Sequence, residues 1–230
     1  TCGHTRAGAR AHFKKPIRVR PNNTLYGLTM KKSESTKRNI LYKGMAYAAA
    51  HGLYSLSIGK IAAVTNMSRT GVISHFANKE DMQVAILAYT EEEFRKQVVD
   101  ISVDEDALIH LNNFQQRWLE WLNFLDTVSP GKQASCPLIK ASVEFKASPN
   151  CLVRQFMQDQ HLKMINYLTK LAVNCQAQGY FSQDKEPSIF AYEFYGLYTG
   201  HVVQTSLIDN PALSLTYKKV VGNLIARYMR

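Results

Sequence analysis

Apolar residues in this chain recur at intervals of three and four, broken by capping residues, glycine and proline. Nowhere do they alternate over the length of a half-buried strand. A chain patterned this way folds as packed helices, so the expectation is an all-α protein. The first helix is predicted from about residue 35 to 50, ending at His51-Gly52, where Gly52 can take a left-handed C′ conformation. Gly44 in its middle costs about 1 kcal/mol against alanine and marks a close approach. A second helix covers 58–64 behind Ser57. A third runs from Ser68 to about His75, and a fourth from Asn78 to about Val99 with Glu80 and Asp81 in its first turn. Leu108, Leu111, Gln115, Trp118, Leu122 and Leu125 then share one helical face, which Ser129-Pro130-Gly131 ends. Four further helices follow: 137–145, about 150–178 closed by Gly179, about 187–208, and a last one opening at Pro211.

The net charge of +10 is unevenly placed. Residues 98–230 carry twelve basic and twelve acidic side chains, so the whole excess lies in residues 1–97. That asymmetry points to a polyanionic partner for the N-terminal part alone. Residues 1–29 hold Arg6, Arg10, Lys14, Lys15, Arg18 and Arg20 with no acid and no helical period. They read as disordered or as a non-native extension ahead of Met30, the alternative being a basic arm that grips phosphates.

The segment 56–76, LSIGKIAAVTNMSRTGVISHF, reads as two short capped helices joined by a tight turn at Thr65-Asn66-Met67. Ala62 and Ala63 allow a close crossing, and Ile58, Ile61, Val64, Met67, Val72 and Phe76 form the inner side. Arg69, Thr70 and Ser74 are left facing outward. A packed inner face and a polar outer face are what a helix-turn-helix needs to enter a major groove, although an ordinary αα-hairpin looks similar.

The wider run 40–87 resembles the N-terminal domain of the TetR family of bacterial transcriptional regulators. The resemblance rests on Ile40-Leu41, Ala48, Gly52, Ser57-Ile58, Ile61-Ala62, Ser68-Arg69 and above all Ser74-His75-Phe76 followed by Asn78-Lys79-Glu80-Asp81-Met82. Departures occur at Gly44-Met45, at Asn66 where glycine is common, and at Ile73 where an aromatic is usual. A weaker likeness to one branch of the family appears around Cys136-Pro137, Gly179-Tyr180-Phe181 and 191–200.

The resemblance implies a helix-turn-helix domain over 33–90 and a helical ligand-binding and dimerisation domain over 91–230. It implies a homodimer on palindromic double-stranded DNA, a repressor released by a small apolar or aromatic effector. An activator of the same architecture and a helical adaptor that does not bind DNA are the alternatives. The implied DNA contacts are Lys37 and Arg38 at the first helix, Ser57, Ser68, Arg69, Thr70, Ser74, His75 and Lys79. Ser57, Ser68 and Asn78 also suffice as caps, and His75 suits packing as well as phosphate contact.

For the effector, the candidate residues are Trp118, Trp121, Phe145, Phe156, Tyr192, Tyr195 and His201, with Cys136 nearby. A helical stripe of aromatics is more often a core. Residues 190–203 are apolar around most of a helix, with Gly196 and Gly200 four apart. With Val220, Val221, Leu224, Ile225 and Tyr228 they suggest a four-helix dimer interface through the last two helices. No catalytic constellation, cofactor motif or metal-ligand spacing is recognisable, since Asp106 and His110 form only a lone pair. Cys2, Cys136, Cys151 and Cys175 lack CxxC spacing, and no apolar run reaches the length of a membrane span. Free thiols in the cytoplasm are the expectation.

Overall fold

The computed structural model describes residues 32–129 and 134–230. The expectations for residues 1–29, and the helix break assigned to Pro130-Gly131, lie outside these residues. Among the described residues the fold is all-helical, and the only pairing of extended backbone is an isolated bridge between Phe181 and Met229. The helices are α1 (Lys32–His51), α2 (Ile58–Thr65), α3 (Arg69–Ile73), α4 (Lys79–Phe94), α5 (Ala107–Val128), α6 (Pro137–Glu144), α7 (Leu152–Ala177), α8 (Pro187–Leu207) and α9 (Ala212–Tyr228). A π-helical turn (Arg95–Val99) and a 3-10 turn (Asp100–Ser102) extend α4 to the loop before α5.

The caps are where the sequence places them. Ser57, Ser68 and Asn78 accept from the backbone N–H of Lys60, Gly71 and Asp81, three residues on in each case. Asn66 is left-handed at φ 56°, and its N–H reaches the carbonyls of Ala62 and Ala63 to end α2. Two expectations need correction. Ala63 and Val64 are exposed, so only Ala62 lies at the α2–α3 crossing. α3 ends at Ile73, because the next two amides, His75 and Phe76, bond back to Val72 and Ile73 in tighter i→i−3 turns.

Two apolar cores result. The larger joins α4, α5, α7, α8 and α9 around Trp118, whose ring stacks on Tyr198 at 3.9 Å between centroids. The smaller gathers Ile40, Leu56, Val72, Phe76 and Ile86 from α1–α4. Four of its members, Ala141, Phe145, Val153 and Met157, come from α6 and α7 or the bend between them. α1 and α4 cross closely at Gly44, where a Cβ would stand 2.5 Å from the Ile86 Cδ1.

α6 also holds the C-terminal end of α1 through polar contacts. Lys140 Nζ donates to the Ala49 carbonyl (2.8 Å), one of the carbonyls the helix end leaves without an intrahelical partner. The Glu144 carboxylate accepts from the N–H groups of Leu53 and Tyr54, both at 2.9 Å. Between these contacts lies Gly52, at φ +81°, as the C′ assignment requires.

Candidate nucleic-acid interface and effector cavity

α2 and α3 lock together through Ile61, Ala62, Val72 and Phe76, all buried. The opposite side of α3 presents Arg69, Thr70, Ile73 and Ser74, all exposed. The Arg69 guanidinium lies against α2, 3.3 Å from where a Cβ on Gly59 would stand, so it is already directed along the outer face. Ser74 Oγ donates to the Gly71 carbonyl at 2.8 Å, which keeps its lone pairs for a donor from outside. Lys79 Nζ donates to the Tyr54 carbonyl (3.3 Å) and sits over the Tyr54 ring; Lys37 Nζ lies 5.4 Å from the centre of the Phe76 ring. His75 is half-buried, edge-on to Phe76. Among the described residues none of Lys37, Lys60, Arg69 and Lys79 is paired with a carboxylate. Arg38 differs: it is held by Glu93 at 3.2 Å and lies over the Tyr89 ring.

Three residues of this face were not singled out as contacts in the sequence. Ile73 is 54% exposed, an apolar tip on a groove-facing side, suited to a thymine methyl. Tyr54 and Lys60 flank the same surface and are exposed. Lys60 had a readable signal, an unpaired lysine in the first turn of α2, where a structural role would favour an acid. Tyr54 had none.

The second feature is a partly open cavity of about 30 Å³ lined from α4, α5, α6, α7 and α8. Its aromatic walls are Phe94, Trp118, Tyr195 and Tyr198, and Cys136 with Leu138 and Ile139 brings α6 to it. α7 contributes Met157, Met164, Gln160 and His161. Of the sequence candidates, then, Trp118, Tyr195 and the neighbouring Cys136 are brought together. The other five lie elsewhere. Trp121 is buried in the larger core against Phe94 and Phe124. Phe145 and Phe156 pack with the smaller core. Tyr192 is 76% exposed on the outer side of α8. His201 is buried and stacked on Tyr217 at 4.6 Å.

Titration in the cavity is set by burial. Desolvation pushes the Cys136 thiol up, which keeps it protonated and unreactive, and pulls the His161 imidazolium down, which keeps that ring neutral. The His161 Nδ1 lies 3.0 Å from the Met157 carbonyl, so Nδ1 carries the proton and Nε2 is left as an acceptor.

The third feature is the outer face of α8 and α9. Tyr192, Gly196, Leu197, Val220 and Leu224 line an open groove edged by a Glu193–Arg227 ion pair of 3.1 Å. A Cβ built on Gly196 or Gly200 meets nothing within 4 Å. Thus α8 buries one side in the larger core, and among the described residues nothing covers its other side, also apolar.

A sequence model described as "Tetracyclin repressor-like, C-terminal domain" matches residues 107–219. No curated protein is a significant match in sequence. Among solved structures, a TetR transcriptional regulator from Chloroflexus aurantiacus is 17% identical with a TM-score of 0.75, over 87% of this chain and 99% of that one. A TetR-family transcriptional regulator from Streptomyces coelicolor is 19% identical with a TM-score of 0.71, over 86% and 98%. AibR, solved in complex with isovaleryl coenzyme A and operator DNA, is 18% identical with a TM-score of 0.59, over 84% and 98%. At these identities the likeness is one of fold.

Proposed function

From a chain that belongs to the TetR family by its C-terminal domain and its fold, we propose a homodimeric repressor that binds a palindromic operator and is released by a small effector. The observation that carries this reading is the outer face of α2–α3, polar and cationic, with no carboxylate partnering its lysines and arginine. Arg69, Thr70, Ile73 and Ser74 would read base edges, Ser74 by accepting from a base N–H, while Lys37, Lys60, Lys79 and the hydroxyls of Ser57 and Ser68 would hold phosphates, with His75 at the rim. Two such heads must sit one helical turn of DNA apart, about 34–36 Å, which a two-fold dimer provides. The reading is tested by selecting from a random duplex pool at physiological salt; a palindrome should be enriched, and an unenriched pool would sink the proposal.

The uncovered face of α8 and α9 supports the dimer. Gly196→Arg places its side chain in open space in one chain and replaces glycine by a better helix former, a gain of roughly 0.8 kcal/mol. Across a two-fold axis the same arginine meets its symmetry mate. The expected result is an unchanged or raised melting temperature with a monomeric mass by light scattering. A dimeric mass would place the interface elsewhere.

Release follows from the placement of α6. One side of it closes the cavity through Leu138 and Ile139; its Lys140 and Glu144 hold the end of α1. Drug-sized ligands occupy roughly 300–1,000 Å³, so occupancy must push the walls of a 30 Å³ cavity apart. An outward shift of α6 carries the end of α1 with it and changes the spacing of the two heads. The effector need only prefer the expanded state to shift the equilibrium.

A further inference from the structure

The cavity differs from a plain gap in the core in three respects. First, among the described residues its lining includes no Lys, Arg, Asp or Glu, and the one histidine there is held neutral. A charged ligand group would lose its hydration with nothing to replace it. Second, its aromatic walls are close to parallel. The Trp118 ring is inclined by 24° to Tyr198 and by 18° to Tyr195, a geometry that suits a flat body laid beside them. Third, of the four buried side-chain polar atoms without a hydrogen-bond partner among the described residues, two belong to its lining, Gln160 Nε2 and the Tyr198 hydroxyl, the others being Trp121 Nε1 and the Tyr217 hydroxyl in the core. Gln160 is only 9% exposed, and a buried donor left unpaired costs about 1–3 kcal/mol. Two such donors at one cavity are an incomplete hydrogen-bond network whose missing member is an acceptor.

We propose that this cavity takes an uncharged, planar ligand bearing a hydrogen-bond acceptor such as a ketone or amide carbonyl, received by the Gln160 amide and the Tyr198 hydroxyl. The proposal rests on the reading of the cavity as the effector site. Met157 and Met164 supply the flexible walls that let so small a cavity enlarge. His161 Nε2 offers one further contact, to a donor on the same ligand. An acyl-coenzyme A of the kind seen with AibR would have to leave its phosphates outside, because no cation among the described residues lines the cavity.

The test uses four compounds of one shape on the full chain at pH 7: acetophenone, ethylbenzene, benzoate and 1-phenylethylamine. Quenching of Trp118 and Trp121 fluorescence and the melting temperature are read together. Acetophenone should bind about five- to thirtyfold more tightly than ethylbenzene, the worth of one or two neutral hydrogen bonds at about 1 kcal/mol each. Benzoate and the amine should bind at least about tenfold more weakly than acetophenone. Gln160→Met, which removes an unpaired buried amide, should melt no lower than the parent and lower the ketone-to-hydrocarbon ratio part of the way. Tyr198→Phe should do the same, and the two together should bring the ratio close to one. Tightest binding by benzoate or the amine, or a ketone preference undiminished in both single variants, overturns the proposed ligand class. Equal binding of all four overturns it too but leaves the cavity as the effector site. Silence from all four in both signals removes the effector site along with it.

Discussion

An Arg69→Ala, Thr70→Ala double variant is expected to keep the parent's melting temperature and helical content and to lose selection of any palindrome. Both side chains are exposed on α3, and although the Arg69 guanidinium lies against Gly59 of α2, neither belongs to the buried seam between the two helices; surface substitutions of this kind stay within about 0.5 kcal/mol of neutral. A bidentate arginine contact to a base edge is worth about 1–3 kcal/mol. A dimer makes it twice, so the expected loss in specific affinity is about 30-fold to 10⁴-fold at physiological salt. Weak, salt-sensitive binding through Lys37, Lys60 and Lys79 should persist, because phosphate contacts are indifferent to sequence. Recovery of the same palindrome with the double variant would mean that α3 is not the reading helix.

The largest effect on stability is expected from Gly52→Ala. At φ +81° an alanine is strained by roughly 1–2 kcal/mol. Its Cβ would also stand 1.9 Å from Glu144 Oε1, so the carboxylate must leave. With it go two charge-assisted hydrogen bonds to Leu53 and Tyr54, each worth about 1.5 kcal/mol or more. The sum is about 4–6 kcal/mol, a fall of about 10–20 °C in melting temperature for a chain of this size. In a Glu144→Ala background only the backbone strain remains, and the same substitution should cost about 1–2 kcal/mol. Urea unfolding of the four proteins gives the cycle directly. Additive effects would show that Glu144 does not hold the α1–α2 corner in solution.

What could be read from the sequence was chiefly what depends on near neighbours. Ser57, Ser68, Asn66 and Asn78 act within three or four residues of themselves, so their types alone locate the ends of α2 and the starts of α3 and α4. The three-and-four spacing of Leu111, Trp118, Leu122 and Leu125 likewise gives a buried face whatever it packs on. The choice between core and cavity for each aromatic did not follow, because it depends on which helix crosses which. Trp118 and Trp121 are three residues apart on α5, yet only Trp118 lines the cavity. One signal was available and was not used. Val153, Met157, Gln160, Met164, Leu168 and Leu171 form a single stripe along α7, and Gln160 is its one polar member. An amide on an otherwise apolar stripe is a more specific marker of a binding cavity than another aromatic, since burying it costs free energy that an aromatic does not. The clamp of Glu144 on Leu53 and Tyr54 spans about ninety residues of sequence, and no local rule reaches that far.

The four α6–α7 members of the smaller core bear on how the chain folds. A fragment stopped after α4 would lack Phe145, Val153 and Met157, and would turn the apolar surfaces of Leu53, Leu56 and Met82 toward water. Such a fragment should be expanded and bind hydrophobic dyes. The whole chain should melt in one calorimetric transition, with van 't Hoff and calorimetric enthalpies in agreement. In that event a dimer contact on α8 and α9 would raise the melting point of the reading heads as well, and protein concentration alone would tune how long they survive heat.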